Sequence, residues 1–373
     1  IRIMTNKINF TEVNPIKNAE INQIKNDIFK TIKVGDFILG DNVKKFEKNF
    51  AKLAKVNFAV GCASGTDALT LSLMSLNLKK NDEIIVPGMT YISTGLSVIL
   101  NNYKLVFADI DDQTGLLSLA SLKKKITKKT KAVIPVNLYG QKVNLSKIKR
   151  IVGKKVHIIE DSAQSHFAFD GNENKIKRNK IAYASCYSFY PAKNLGAYGD
   201  GGMITTNNKN LFNKLLALRN LGSIKKNKHL LIGMNSRLDT IQATVLINKL
   251  KTILSLNAKR RKIGMFYDKL LTPIKEIKLT KTNKGSTRHL YVIRTKKRDK
   301  LISFLSKKKI LCQMHYPYSL NNLPAFKKRV KKTVLKNSEL WAKECLSLPI
   351  HPNLKFNEAR RVVSEIKNFF NIN

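Results

Sequence analysis

The chain has 373 residues and a formal charge of +44, from 69 Lys and Arg against 25 Asp and Glu. Its length suits one large domain plus a smaller one, and 43% hydrophobic residues are ample for a globular protein. The basic residues are spread along the whole chain without interleaved aromatics, which points away from specific nucleic-acid recognition and toward attraction of an anionic small substrate.

Four cysteines, Cys62, Cys186, Cys312 and Cys345, show no paired or metal-like spacing and read as reduced thiols of a cytoplasmic protein. No apolar run approaches the roughly 18 residues of a membrane span, and no signal peptide is expected. Met4 reads as the natural start, with residues 1–3 an upstream remainder.

In chain order, residues 22–37 read as helix and then loop. After Gly40 and Asp41, Val43, Phe46, Phe50 and Leu53 recur at helical spacing and predict an amphipathic helix. A short strand at 57–60 leads into GCASGTDALTLSLMSL, where Gly61, Ser64 and Gly65 turn the chain into a helix over 66–76. The unpaired amides of such a helix start lie at the positive end of its dipole and suit a phosphate. An N-capped core helix has the same pattern.

Strands and helices then alternate: strand 83–87, helix 91–100, strand 104–110, helix 119–126, strand 131–136, a turn at Tyr139 and Gly140, helix 145–152 and strand 156–161. This alternation predicts a mostly parallel sheet with helices on both faces and sites at the C-terminal ends of strands. The last strand, VHIIED, ends in Asp161, a carboxylate that is costly to bury without a partner. It can cap the following segment, or pair with a protonated pyridine nitrogen and make that ring an electron sink. Gln164 can hold the face or the phenolic oxygen of such a ring, and Ser188, at the end of the next strand, can reach a phosphate.

The stretch from Ala184 to Met203, ASCYSFYPAKNLGAYGDGGM, reads as strand, turn and strand. The strand at 183–189 is stopped by Pro191, and Lys193 follows between that proline and Gly196, Gly199, Gly201 and Gly202. Its neighbours are apolar and small, a setting in which burial lowers an amine's pKa and leaves it nucleophilic, as an imine-forming lysine requires. A surface turn lysine is the alternative. Residues 211–271 read as helical apart from a loop at 222–235. Beyond Thr272 come a strand at 290–294, a helix at 298–307, a strand at 312–317 and a final helix at 357–369. The expected division is an N-terminal segment 1–30, a large domain 31–255 and a smaller α+β domain 256–373.

The segments FILGDNVKKFE, ASGTDAL, VPGMTY, FADID, PVNLYGQ, EDSAQS, SFYPAKNLGAYGDGG, LRNLG, NSRLDTIQA, RHLYVIR, HYP and LSLPIHP, in this order, resemble the DegT/DnrJ/StrS family of pyridoxal-phosphate-dependent sugar aminotransferases. Each is weak alone; their order and spacing across the chain are specific. The resemblance implies the α/β fold of type I pyridoxal-phosphate transferases and a homodimer with shared active sites. It implies that Lys193 carries the cofactor and later moves protons, that Asp161 pairs with the pyridine nitrogen, and that Gln164 contacts the ring. Tyr91 would stack on the ring's other face, while Gly65, Thr66, Asp67 and Ser188 would hold the phosphate. Asn235 would reach the phosphate from the neighbouring subunit, and Arg237 would receive the donor's carboxylate. His166, Tyr190, His229, His315 and Tyr316 would lie on the substrate side. The implied reaction moves an amino group from an amino acid, glutamate foremost, to a nucleotide-linked ketosugar in amino-sugar biosynthesis.

Within that family, GDGG at 199–202 and His166 after AQS resemble members acting on 3-keto sugars, whereas 4-keto members often carry GEGG. A packed core histidine is the other reading of His166. Three departures fall on the substrate side: Phe167 at a position where glycine is usual, Ser319 and Asn321 in place of a proline and a second histidine, and no acid after His229. A 4-keto sugar or cyclitol aminotransferase is the alternative. A dehydratase of this fold would carry histidine in place of Lys193, and a pure regulator would have no use for Lys193, Asp161, Gln164 and Ser188 together.

Overall fold

In the computed structural model, which describes residues 7–169, 176, 178–225 and 227–372, the chain opens with helices α1 (Asn18–Val34) and α2 (Asp41–Ala54). The expected start at Met4 lies outside the described residues. α2 buries Val43, Phe46 and Phe50, the face that its apolar spacing predicts.

Alternation follows through β1 (Phe58–Cys62), α3 (Gly65–Met74), β2 (Glu83–Pro87), α4 (Ile92–Leu100), β3 (Lys104–Ala108) and α5 (Leu119–Lys125). It continues with β4 (Thr130–Val133), α6 (Leu145–Val152), β5 (His157–Asp161), β6 (Ala184–Ser188) and β7 (Gly202–Thr206). These strands form one seven-stranded sheet in the order β1-β7-β6-β5-β4-β2-β3. Pairings from β3 through β6 are parallel, and β7 runs antiparallel to both β1 and β6. The runs EIIVP and GMITT are buried at every residue, as strands covered by helices on both faces must be.

α7 (Lys209–Leu218) precedes a small hairpin, β8 (Ser223–Lys225) and β9 (Lys228–His229), inside the segment expected to be loop. Strands of three and two residues are too short to show alternation. α8 (Thr240–Leu250) packs against α1 and α2, and α9 (Ile253–Leu271) follows it.

The remainder supplies β10 (Lys278–Leu279), β11 (Tyr291–Arg294), α10 (Arg298–Lys307), α11 (Pro324–Lys327), α12 (Lys336–Glu344), β12 (Cys345–Leu348) and α13 (Phe356–Phe370). β10, β11 and β12 form an antiparallel sheet, and α9, α10 and α13 close a second core around Tyr267, Ile293, Leu305 and Val362. The strand expected at 312–317 is not formed. Only Gln313 bridges to Ser347, and Pro317 has no amide to extend a ladder. The strand of this region is β12, in LSL. Among the described residues no helix is long and apolar enough to cross a membrane.

Candidate active site

β5 ends in two adjacent buried acids that alternation sends to opposite faces of the sheet. Glu160 is enclosed by Lys142, Asn137, Asn179 and Ser185. Burial pushes its carboxyl upward, but Lys142 and these hydrogen bonds outweigh it and hold Glu160 below the usual range. Asp161 has less around it. Its Oδ2 accepts from Thr94 Oγ1 at 2.8 Å and its Oδ1 from the Ala163 amide at 3.1 Å. Burial raises its pKa, and those two donors together with Lys193 offset only part of the rise. A further positive group beside Asp161 would complete its neutralisation.

Lys193 sits in the connection from β6 to β7. The Lys193 amide donates to the Tyr190 carbonyl at 2.8 Å, and the Ala197 amide to the Phe189 carbonyl at 2.8 Å. A side chain on Gly196 would put its Cβ 2.2 Å from the Pro191 carbonyl oxygen, so the turn closes only with glycine there. Burial draws the Lys193 amine down to about 8, with Asp161 pulling the other way. The Lys193 side chain is half-buried and feels the charge of Asp161.

The start of α3 faces the end of β6. A Cβ on Gly65 would lie 2.6 Å from Ser188 Cβ, so the bare glycine lets the serine close on the helix terminus. The Gly65 and Thr66 amides have no protein acceptor among the described residues. Thr66 Oγ1 is 2.7 Å from Ser93 Oγ, which ties α3 to α4. Asp67 needs correction as a phosphate contact. Its amide donates to Ser64 Oγ, the cap of α3, at 3.1 Å, and its Oδ2 accepts from Ser236 Oγ at 2.6 Å. A helix cap consumes the third amide, leaving the first two for an anion.

Gln164 is committed at both ends of its amide: Oε1 accepts from the Tyr139 amide at 2.7 Å and Nε2 donates to Tyr316 Oη at 2.8 Å. What remains free is its flat face, in keeping with the ring-face role. Tyr91, 56% exposed, lies 5.8 Å from the Tyr316 ring. His315 stacks on Phe10 at 5.6 Å, its Nδ1 lies 2.9 Å from Ser347 Oγ, and burial brings its pKa to about 4.

The remaining expected residues divide. Tyr190 is exposed beside Lys193 in the turn, and Asp200 is exposed farther along it. Exposed Asn235 bridges to Asn220, whose Oδ1 accepts from Arg237 at 3.2 Å, and exposed His229 has Nδ1 3.0 Å from the Leu221 carbonyl. These three gather about the β8–β9 hairpin. His166 is corrected: it has no exposed surface, lies 5.7 Å from the Tyr187 ring and 5.8 Å from that of Phe189, and burial lowers its pKa to about 3. It is packed away from solvent and not open to a sugar, although neither ring nitrogen has a hydrogen-bond partner among the described residues. Thr94 and Ser236 escaped the sequence reading, whereas Ser64, expected in the turn before the helix, is its N-cap.

This donor set fits pyridoxal phosphate: a buried acid short of positive charge for the ring nitrogen, two free amides and a serine for the phosphate, and an amine near neutrality for the carbonyl. Comparisons with known proteins agree. A "Pleiotropic regulatory protein" of Geobacillus stearothermophilus is 37% identical over 340 residues, spanning 90% of this chain and 91% of that protein. A UDP-2-acetamido-2-deoxy-3-oxo-D-glucuronate aminotransferase of Pseudomonas aeruginosa is 35% identical over 349 residues, spanning 91% of this chain and 94% of the relative. The crystal structure of DesV from S. venezuelae in complex with a ketimine intermediate superposes with a TM-score of 0.93 at 33% identity, covering 98% of this chain and 99% of that one. Residues 18–367 match the DegT/DnrJ/EryC1/StrS aminotransferase family, and the chain belongs to that family of pyridoxal-phosphate-dependent enzymes.

Proposed function

We propose that this aminotransferase moves an amino group from an amino acid, L-glutamate foremost, to the C3 carbonyl of a nucleotide-linked ketosugar. The observation that carries the reading is the convergence of Lys193, in its glycine-closed turn, Asp161 at the end of β5 and the free amides that start α3. When bound, pyridoxal phosphate supplies an electron sink for the carbanion at the donor's α-carbon. Asp161 then opposes the charge on the ring nitrogen, and that charge in turn favours its ionised form. The Gly65 and Thr66 amides and Ser188 Oγ hold the phosphate at the positive end of α3. Gln164 and Tyr91 confine the ring between them.

Lys193 Nζ would take the proton from the donor's α-carbon and hold it as the ammonium until it is returned. With a pKa of about 8, roughly a tenth of such amines are neutral at pH 7, enough to act as a base. Arg237 offers a guanidinium to the donor's carboxylate. Asn235 is exposed and available to a neighbouring subunit in a homodimer, which we propose together with a cytoplasmic location and a division into domains at 31–255 and 256–373. The C3 preference draws support from Asp200 in GDGG and from the 3-oxo substrate in the name of the Pseudomonas relative. With His166 sealed, that preference rests on these two alone. A regulatory role, which the name of the Geobacillus relative suggests, leaves the pairing of Lys193 with Asp161 unexplained.

Incubating the holoenzyme with glutamate and a panel of 3-keto and 4-keto nucleotide sugars, read by product mass, tests both levels. Amination of 3-keto sugars and borohydride fixation of the cofactor on Lys193 are expected. Conversion of 4-keto sugars alone would defeat the C3 assignment, and fixation elsewhere would defeat the role of Lys193.

A further inference from the structure

Immediately after Lys193, the buried side chain of Asn194 enters a polar chain that none of the steps above uses. Asn194 Nδ2 donates to Asn257 Oδ1 at 2.8 Å and to the Thr287 carbonyl at 3.3 Å, while Asn194 Oδ1 faces His289 Nδ1 at 2.9 Å. Asn257 Nδ2 donates in turn to the His166 carbonyl at 3.0 Å. Backbone carbonyls only accept, so these anchors fix every orientation. Asn257 presents Nδ2 to His166 and therefore Oδ1 to Asn194. Asn194 presents Nδ2 to Asn257 and Thr287 and therefore Oδ1 to His289. His289 must then carry its proton on Nδ1, and Nε2 keeps a lone pair with no protein partner among the described residues. The chain joins the segment after β5 at His166, the Lys193 turn, α9 at Asn257 and the approach to β11 at Thr287 and His289. Buried polar groups that satisfy one another in this way rigidify what they connect.

We propose that Asn194 and His289 are positioning residues for Lys193, locking its turn to α9 and to the approach to β11 through a hydrogen-bond chain that requires an imidazole protonated on Nδ1. The proposal rests on Lys193 being the base of the reaction. Burial pushes His289 well below the ordinary imidazole range, and the charges of Lys193 and Arg260 act in the same direction. The ring is therefore uncharged at physiological pH, and the proton it gives to Asn194 is the only one it carries.

The test compares His289→Phe, which removes the Nδ1 donor, with His289→Gln, whose amide can replace it. In holoenzyme, borohydride mapping and kcat and KM are measured. In cofactor-free protein, the pH dependence of Lys193 acetylation is followed by mass. For His289→Phe we expect fixation still on Lys193, kcat lower by about 10- to 100-fold and KM within about twofold. Its acetylation midpoint should rise from about 8 toward the ordinary lysine value, because a loosened turn admits water to the amine. His289→Gln should restore most of both. A His289→Phe enzyme with unchanged kcat and midpoint overturns the proposal, and so does a Gln variant as impaired as the Phe variant. If His289→Phe does not fold, Asn194→Ser breaks the same hydrogen bond from its acceptor side, and unchanged values there overturn it equally. Lack of fixation on Lys193 in the unaltered protein would instead sink the proposed function, so the two failures are separable.

Discussion

At Phe167 the backbone takes a φ of 59°, a left-handed conformation that favours glycine, while the buried ring packs 4.9 Å from that of Phe50. The sequence shows an unusual residue here but not which of two opposed effects governs it. Glycine would relieve about 1–2 kcal/mol of strain, whereas deleting a buried phenyl side chain costs about 3–5 kcal/mol. Packing wins, and Phe167→Gly should lower the unfolding free energy by about 2–3 kcal/mol in denaturant titration. An unchanged or raised midpoint would contradict this. The same limit applies to His166, whose residue type was legible while its burial was not. Only the tertiary packing of the segment after β5 under Tyr187 and Phe189 removes it from solvent. Lys193 and Asp161 were legible because a lysine among glycines and an acid ending an apolar strand are locally anomalous.

α8 carries an anomaly of its own. Lys249 is buried, its Nζ donating to the Gly196 carbonyl at 2.9 Å and lying 4.3 Å from the Tyr198 ring centroid. Burial draws its pKa from 10.5 to about 8. Between those values the unfolded chain binds more protons than the folded one, so stability increases as pH rises through that window. Below the folded value the cost of the buried charge is present in full. Lys193 contributes with the same sign. Thermal melts of cofactor-free Lys249→Met should therefore show a smaller gain between pH 8 and 10.5 than those of the parent; an equal gain would refute it. Elements with strong periodicity, such as α2 and the strands of the large sheet, were readable in advance. α12 was not, because its lysines mask the apolar face that buries Trp341 and Ala342, and 312–317 was misjudged because its apolar residues answer to no ladder.

Two apolar stretches stand exposed on the whole molecule: Phe29, Ile32, Val34 and Phe37 at the end of α1 and beyond it, and Leu230, Leu231 and Ile232 after the hairpin, the last 91% exposed. Exposed apolar surface of this kind marks an interface. The proposed homodimer would join two chains each carrying +44, whose repulsion salt screens over about 10 Å at 0.1 M. Sedimentation should accordingly give a dimer that tightens as salt rises, the reverse of an assembly held by opposite charges. A monomer at every salt concentration would count against the homodimer. Charge and length are properties of the sequence itself. The apolar surface was invisible there, because exposure is a property of the assembled fold.

The two acids that end β5 have a consequence for how the protein matures. Ile159, Glu160 and Asp161 pair with Ala184, Ser185 and Cys186. A slip of one residue would turn Glu160 toward the cofactor and Asp161 toward Lys142, leaving neither acid with its partners. Such a chain could keep its secondary structure and still be barren. Attachment of pyridoxal phosphate at Lys193, rather than at another lysine, would thus report that β5 has found its register.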